Sequence, residues 1–428
     1  MIPFPQAIYS VIQSANQLDL PTQRTDLTAL SGRICAERIT APRPLQPFTN
    51  SAMDGFAFRH QDHCSSHEHQ PYLRVRSTIA AGETPPAQPL PAGECDRILT
   101  GAVLPNGADS VIPLEQTETS ADGYVSFHHM PKLGANVRKA GEDIAAEQLI
   151  IEPGTLLDPG HIMPLAALGI ENLAVYRKPR VATITTGNEV TQDLGTQLKQ
   201  GQIFDSNHFY TQALLRHLSC DLVDNRHLQD DKKLFVNHLH YLLSLDLDMV
   251  ISSGAVSAGA EYDFVREGLQ AIGAEIIFHK VAIRPGKPNL FARLPNGALY
   301  FGLPGNPLAT AAGLRFLVAA ALRAMTNQPV EQPLIGQCTT THSKKSGISR
   351  ALLCTCVGGQ DQRLLVNIPD SQSSFMTNPL LTANSWVLLN EDKDDYKPGD
   401  KVDTYPLLPG QRSWPKPAAP KQKKDKGG

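Results

Sequence analysis

A chain of 428 residues exceeds one hydrophobic core at roughly 150 residues per domain, so several domains are expected. Hydrophobic residues at 41% and charged residues at 19% exclude a largely disordered chain. The balance of 39 basic against 42 acidic side chains, net −3, excludes whole-molecule attraction to nucleic acid or an anionic membrane, and any anion site must be local.

In chain order, residues 3–18 place Phe4, Ala7, Ile8, Val11, Ile12 and Ala15 at helical spacing and predict an amphipathic helix. Residues 27–145 change to short β-type runs, such as 72–75 and 110–113, punctuated by Gly, Pro, Asn and Asp, which predicts a β-rich domain. Residues 148–176 mix a strand, a Pro-Gly turn and a helix. They are expected to return beside the N-terminal helix, giving a helical and linker domain of 1–26 and 146–177. From 178 to 328 strands (181–185, 221–224, 249–253, 275–278, 299–302) alternate with helices (207–218, 231–245, 261–272, 308–325). Such alternation predicts an α/β domain with a mostly parallel sheet covered on both faces. Residues 329–408 revert to strands (351–357, 364–368, 386–389), a second β domain, and the Pro- and Lys-rich 409–428 has little to bury and is expected to be disordered. The apolar run 316–322 is broken by Arg323 and no leader pattern opens the chain, so a cytoplasmic protein without membrane contact is expected. Seven scattered cysteines with no CxxC pair predict reduced, mostly buried thiols.

Ligands of an open parallel sheet bind beyond the carboxyl ends of its strands, which directs attention to four loops. Gly254-Ala-Val-Ser-Ala-Gly259 can turn backbone N–H groups, with the Ser257 hydroxyl, toward an anion. Thr185-Thr-Gly-Asn-Glu189 ends a strand with one carboxylate. Gly201-Gln-Ile-Phe-Asp-Ser-Asn207 offers Asp205 as a helix cap or a ligand-binding group. Lys280-Val-Ala-Ile-Arg-Pro-Gly-Lys287 gathers three cations, whose mutual repulsion favours an oxyanion among them. Gly302-Leu-Pro-Gly-Asn-Pro307 adds Pro304 and Asn306 before a helix that Pro307 suits. Outside this domain, Asp54 in Asn50-Ser-Ala-Met-Asp-Gly-Phe-Ala57, Thr100 in Thr100-Gly-Ala, and Glu142 and Asp143 in Gly141-Glu-Asp-Ile144 supply polar groups fit for a hard divalent cation.

Taken in order, these motifs resemble the molybdopterin molybdenumtransferases, the MoeA family, whose eukaryotic relatives include the E domain of gephyrin; the likeness spans residues 1 to about 408. The resemblance implies a multidomain fold: a central α/β molybdopterin-binding domain, a β-rich insertion domain and a C-terminal β-barrel-like domain. It also implies a homodimer in which the β-rich domain of one subunit faces the α/β domain of the other. The implied reaction joins molybdate to adenylylated molybdopterin, giving molybdenum cofactor and AMP, with Mg2+ or another divalent metal. Transient contacts with molybdopterin adenylyltransferase and acceptor molybdoenzymes follow, with no nucleic acid and no membrane.

By motif, the resemblance assigns Asp54, Thr100, Asp143, Glu189, Asp263, Lys280 and Lys287 to catalysis, with Asp54, Glu189 and Asp263 on the metal. It assigns Gly254, Ser257, Gly259, Asp205, Arg284, Pro304, Asn306 and Ser374 to substrate binding. Departures from the family pattern lie near the ligand: Ala255 replaces a Gly, Ala258 a Val, Asn188 an Asp, Arg284 a Lys and Ala309 a Ser, while Asp263 stands one residue further from its loop. The segment Gln372-Ser-Ser374 takes the place of Gln-Gly-Ser, and Arg350 is the candidate for the basic residue of the last domain. If position 255 needs a positive φ, Ala255 weakens anion binding. These changes leave a non-catalytic carrier or storage protein for molybdopterin or the molybdenum cofactor as the alternative to an active transferase.

Overall fold

Apolar runs of five to seven residues in 178–328 form the middle of a six-stranded sheet in the computed structural model, which describes residues 1–63, 72–255, 264–359 and 363–410 and the backbone of 416–417. Across this sheet the strands run Asp221–Leu228, Arg180–Thr186, Met249–Ser253, Leu299–Leu303, Leu290–Arg293 and Glu275–His279. The first four are parallel, and the last two pair antiparallel. The sheet is therefore mixed. Leu290–Arg293, not expected from sequence, forms a hairpin with Leu299–Leu303 through Pro295-Asn-Gly297, where Gly297 takes φ +90° and Leu294 N–H donates to the Ala298 carbonyl.

Alternate residues face opposite cores. Val181, Met249, Ile251, Leu299 and Phe301 pack against the helices Phe4–Ala15 and Pro307–Met325, while Ala182, Ile184, Val250 and Tyr300 meet Phe235, Leu239, Val265 and Leu269. The 19-residue helix Pro307–Met325 is long and apolar enough, by length and composition, to cross a membrane, although sequence suggested only a short run; 83% of its most apolar window is buried within the fold. Arg315, in its π-turn Leu314–Val318, shows why it belongs there. Its side chain is 2% exposed, makes two bonds of 2.8 Å to the Glu331 carboxylate and donates to the Pro406 carbonyl at 3.0 Å. Truncating Glu331 to Ala leaves a buried cation half-satisfied, and urea unfolding is expected to show a loss of about 3 kcal/mol.

The segment 148–176 does not return to the N-terminal helix. Leu149–Ile151 pairs with Ile39–Thr40, Asn172–Tyr176 pairs with Thr22–Asp26, and Leu165 joins Leu30, Cys35 and Leu157 in a separate small core. The apolar face of Phe4–Ala15 is already filled by the helix Ala319–Met325 and Phe316. Residues 50–127 build a second six-stranded sheet, in order Ser110–Pro113, Gly55–Phe58, Glu94–Ile98, Tyr72–Ile79, Tyr124–Phe127 and Thr117–Thr119. At the other end, Ser349–Gly358, Leu364–Asn367, Leu334–Cys338, Lys401–Pro406 and Ser385–Leu389 close into a five-stranded barrel, because the first strand also pairs with the last. The six cysteines among the described residues are free and buried.

Candidate functional site

The carboxyl ends of the parallel strands meet as nearly bare backbone. Gly254, after Met249–Ser253, has φ +96°, and a Cβ there would lie 2.5 Å from the Thr186 carbonyl oxygen. A Cβ on Gly305, beyond Leu299–Leu303, would lie 3.5 Å from the Gly254 Cα. Only small residues allow this approach, and it leaves a cleft of about 970 Å³ over the strand ends. Thr186 lines it with a buried hydroxyl that has no hydrogen-bond partner, an unmet donor where an anion would sit.

Ala255 adopts φ +48°, so this position does demand the conformation glycine favours. Ala255→Gly is expected to stabilise the protein by about 1 kcal/mol, read as a higher urea midpoint at unchanged slope. The rest of the loop, with Ser257, Gly259 and Asp263, lies outside the described residues, as does the start of the helix expected from 261; its described part is Phe264–Ala271.

Glu189 lines the cleft, and its carboxylate folds over Gly187, where a Cβ would lie 2.7 Å from Oε2. Asn188 and Asp230 clasp one another: the Asn188 N–H donates to Asp230 Oδ2 at 3.3 Å, and the Asp230 N–H to Asn188 Oδ1 at 3.2 Å. An Asp at 188 would set a second negative charge against Asp230. Asp205 also lines the cleft, but it is buried and caps the helix Ser206–His217. Its Oδ1 accepts the His208 N–H at 3.0 Å and its Oδ2 accepts Gln192 Nε2 at 3.2 Å. Burial lowers the His208 pKa, which favours the neutral ring that can accept from Gln192.

A second cleft, of about 510 Å³, adjoins the first at Pro288, Pro304, Asn306 and Phe375. Asn306 begins the buried helix without a side-chain cap bond, so its amide stays free for the clefts. The second cleft is lined by Arg284, Lys287, Arg350 and Ser374 and, among the described residues, by no carboxylate. Its cations come together because Ile283–Arg284 pairs parallel with Ser349 and Arg350 of the barrel, placing the two arginines side by side. Burial, and then the like charge of Arg284, lower the Arg350 pKa from its usual value.

Lys280 was expected among these cations but lines neither cleft. It is held at φ +73°, its N–H bonded to the Asn289 carbonyl and its own carbonyl bonded to the Ile2 N–H, both at 3.0 Å. Arg350, from another region of the chain, is the third cation.

Asp54, Thr100 and Asp143 line neither cleft of their own chain. Asp54 ends the turn before Gly55, whose missing side chain allows close packing, since a Cβ there would lie 2.0 Å from the Ile112 carbonyl oxygen. Its Oδ1 accepts both the Thr100 hydroxyl and the Thr100 N–H at 2.7 Å. These bonds, the hydroxyl first, hold the exposed carboxyl below its ordinary pKa, so it is charged at neutral pH. Asp143 is exposed on the turn 141–144. Among the described residues no three His, Cys, Asp or Glu side chains converge as a metal cluster.

Sequence reasoning passed over Asp230, Lys232 and Phe375, which also line the clefts. The first two follow the strand Asp221–Leu228, which sequence ended at 224; the strand-end rule would have found them had the strand been followed to 228. Phe375 carries no local signal.

Comparison with known proteins places these features in context. The MoeA N-terminal region (domain I and II) matches residues 2–169, and a probable molybdopterin binding domain matches residues 182–324. A molybdopterin molybdenumtransferase of Haemophilus influenzae is 33% identical over 399 residues, covering 91% of this chain and 96% of that protein. One from Synechococcus elongatus is 31% identical over 409 residues, covering 95% and 100%. The crystal structure of a molybdopterin biosynthesis MoeA protein from Pyrococcus horikoshii matches with a TM-score of 0.79 at 28% identity, covering 97% of this chain and 100% of that one.

Proposed function

This chain belongs to the MoeA family of molybdopterin molybdenumtransferases, and on that premise we propose how its paired clefts insert molybdenum into molybdopterin. The observation that carries the reading is a pocket holding Arg284, Lys287 and Arg350 and, among the described residues, no carboxylate, opening directly onto the strand-end cleft. Molybdate is a tetrahedral dianion, and a site of fixed cations with the Ser374 hydroxyl matches it. The neighbouring cleft, with its Gly254 turn and the free Thr186 hydroxyl, takes the phosphate-bearing part of adenylylated molybdopterin.

Within this scheme Arg284, Lys287 and Arg350 hold the oxyanion while the backbone about Gly254 and the Asn306 amide orient the pterin substrate. Molybdate and adenylylated molybdopterin then give molybdenum cofactor and AMP. Asp54, charged, exposed and lining neither cleft of its own chain, completes the site of a second protomer, so the working unit is a homodimer. A single chain does not gather three metal ligands among its described residues. Mg2+, which would neutralise charge at the phosphoanhydride, would be held by Glu189 and Asp263 of one protomer, the latter outside the described residues, with Asp54 of the other. Molybdopterin adenylyltransferase would supply the substrate and molybdoenzymes would accept the product. The relatives are named as transferases, and none supports the carrier alternative. Purified protein incubated with adenylylated molybdopterin, molybdate and magnesium should release AMP as molybdenum cofactor forms. Tight pterin capture without AMP release would overturn the reading.

A further inference from the structure

Phe375 is 69% exposed and stands on the rim shared by the two clefts. The segment that carries it is not slack. The Gln372 amide donates to the Leu353 carbonyl at 2.7 Å and accepts the Leu353 N–H at 3.0 Å, fixing the segment to the barrel strand Ser349–Gly358. On the other side, the Ser374 carbonyl accepts the Leu308 N–H at 2.9 Å from the first turn of the buried helix. The Met376 N–H also bonds the Ser373 carbonyl at 3.0 Å. The ring is thus held in water by bonds on both sides of it, a position that forgoes the gain from burying a large apolar side chain. Phe204, 37% exposed, and half-buried Phe264 also line the strand-end cleft. Aromatic faces beside three cations suit a flat heteroaromatic ring that carries anionic groups.

We propose that Phe375 is the stacking platform for the pterin ring system of the substrate. The inference rests on the function proposed above. The sulfurs that receive molybdenum are attached to the ring fused to the pterin, so with molybdate in the cationic cleft the pterin must lie at the boundary where Phe375 stands. Adenine is separated from those sulfurs by the phosphates and lies further along the strand-end cleft.

Binding of molybdopterin, AMP and molybdate, each measured alone by calorimetry on the full chain, tests this. Phe375→Ala and Phe375→Leu should bind molybdopterin about 10- to 100-fold more weakly, because Leu keeps apolar area but not a π face. Phe375→Trp should stay near wild type, and AMP and molybdate affinities should not move in any variant. An exposed ring leaves the fold intact, which an unchanged thermal midpoint confirms, and the Leu and Trp variants carry the test should Ala unfold. Wild-type molybdopterin affinity in both Ala and Leu variants overturns the platform alone. Loss of AMP rather than molybdopterin binding overturns the pterin assignment in favour of adenine. A wild-type protein that binds no molybdopterin overturns the functional reading as well.

Discussion

Two inactive variants, Asp54→Asn and Arg284→Glu, should regain about a quarter of wild-type activity when mixed and allowed to exchange subunits. Random pairing makes about half of the dimers mixed, and each mixed dimer holds one intact site of two. Alone, Asp54→Asn is expected to lower kcat about 10³-fold, a scale typical of removing one group that faces developing charge. The Asn side chain keeps an oxygen for both Thr100 bonds, so the turn survives and the charge alone is lost. Because Thr100 depresses the Asp54 pKa, the wild-type carboxylate loses its charge only as the pH falls below the ordinary aspartate value of about 3.9. The variant should therefore be impaired throughout the neutral range. A mixture that exchanges subunits, as labelled chains would report, yet stays inactive would falsify assembly of the site from two protomers.

Arg350→Ala should raise the KM for molybdate about 10- to 100-fold while kcat at saturating molybdate changes little, the signature of a charge-assisted bond lost from the oxyanion. The empty protein should respond in the opposite sense. Arg284 and Arg350 repel one another across paired backbone, so removing one is expected to leave the thermal midpoint unchanged or higher. Wild type should gain stability as molybdate or sulfate is added, by mass action on the folded state, and Arg350→Ala should gain less at the same concentration. Equal gains in the two proteins would place the oxyanion elsewhere.

The middle of the central sheet was legible in the sequence because parallel strands covered on both faces are buried along nearly their whole length and so avoid charge, as Met249–Ser253 and residues 181–186 do. The edge strand Asp221–Leu228 ends early in the sequence pattern, at 224, because Asn225, Arg226 and His227 look like loop. On an edge such residues are tolerated, and Asn225 in fact accepts a hydrogen bond from Thr183 at 2.7 Å. That early end concealed Asp230 and Lys232. The anion cup was half legible. Arg284 and Lys287 share one loop, but Arg350 joins them only through strand pairing between regions distant in sequence. Ala255 is the converse case, where a change of residue type announced a backbone requirement that the +48° φ then displays.

The cationic cleft is divided between two bodies that share a core as well as a seam: Ile283 and Arg284 lie along Ser349 and Arg350, the Ser349 N–H bonds the Ala282 carbonyl at 2.9 Å, and Phe316 of the buried helix meets Trp386 and Tyr405 of the barrel edge-on. That common core fixes the barrel against the helix, so the spacing of the two arginines is set by packing and not by the conformation of a loop. On the function proposed, tolerance for an oxyanion of a given size would then be tuned from the interior, by the bulk of Phe316 or Tyr405 as much as by the cations themselves.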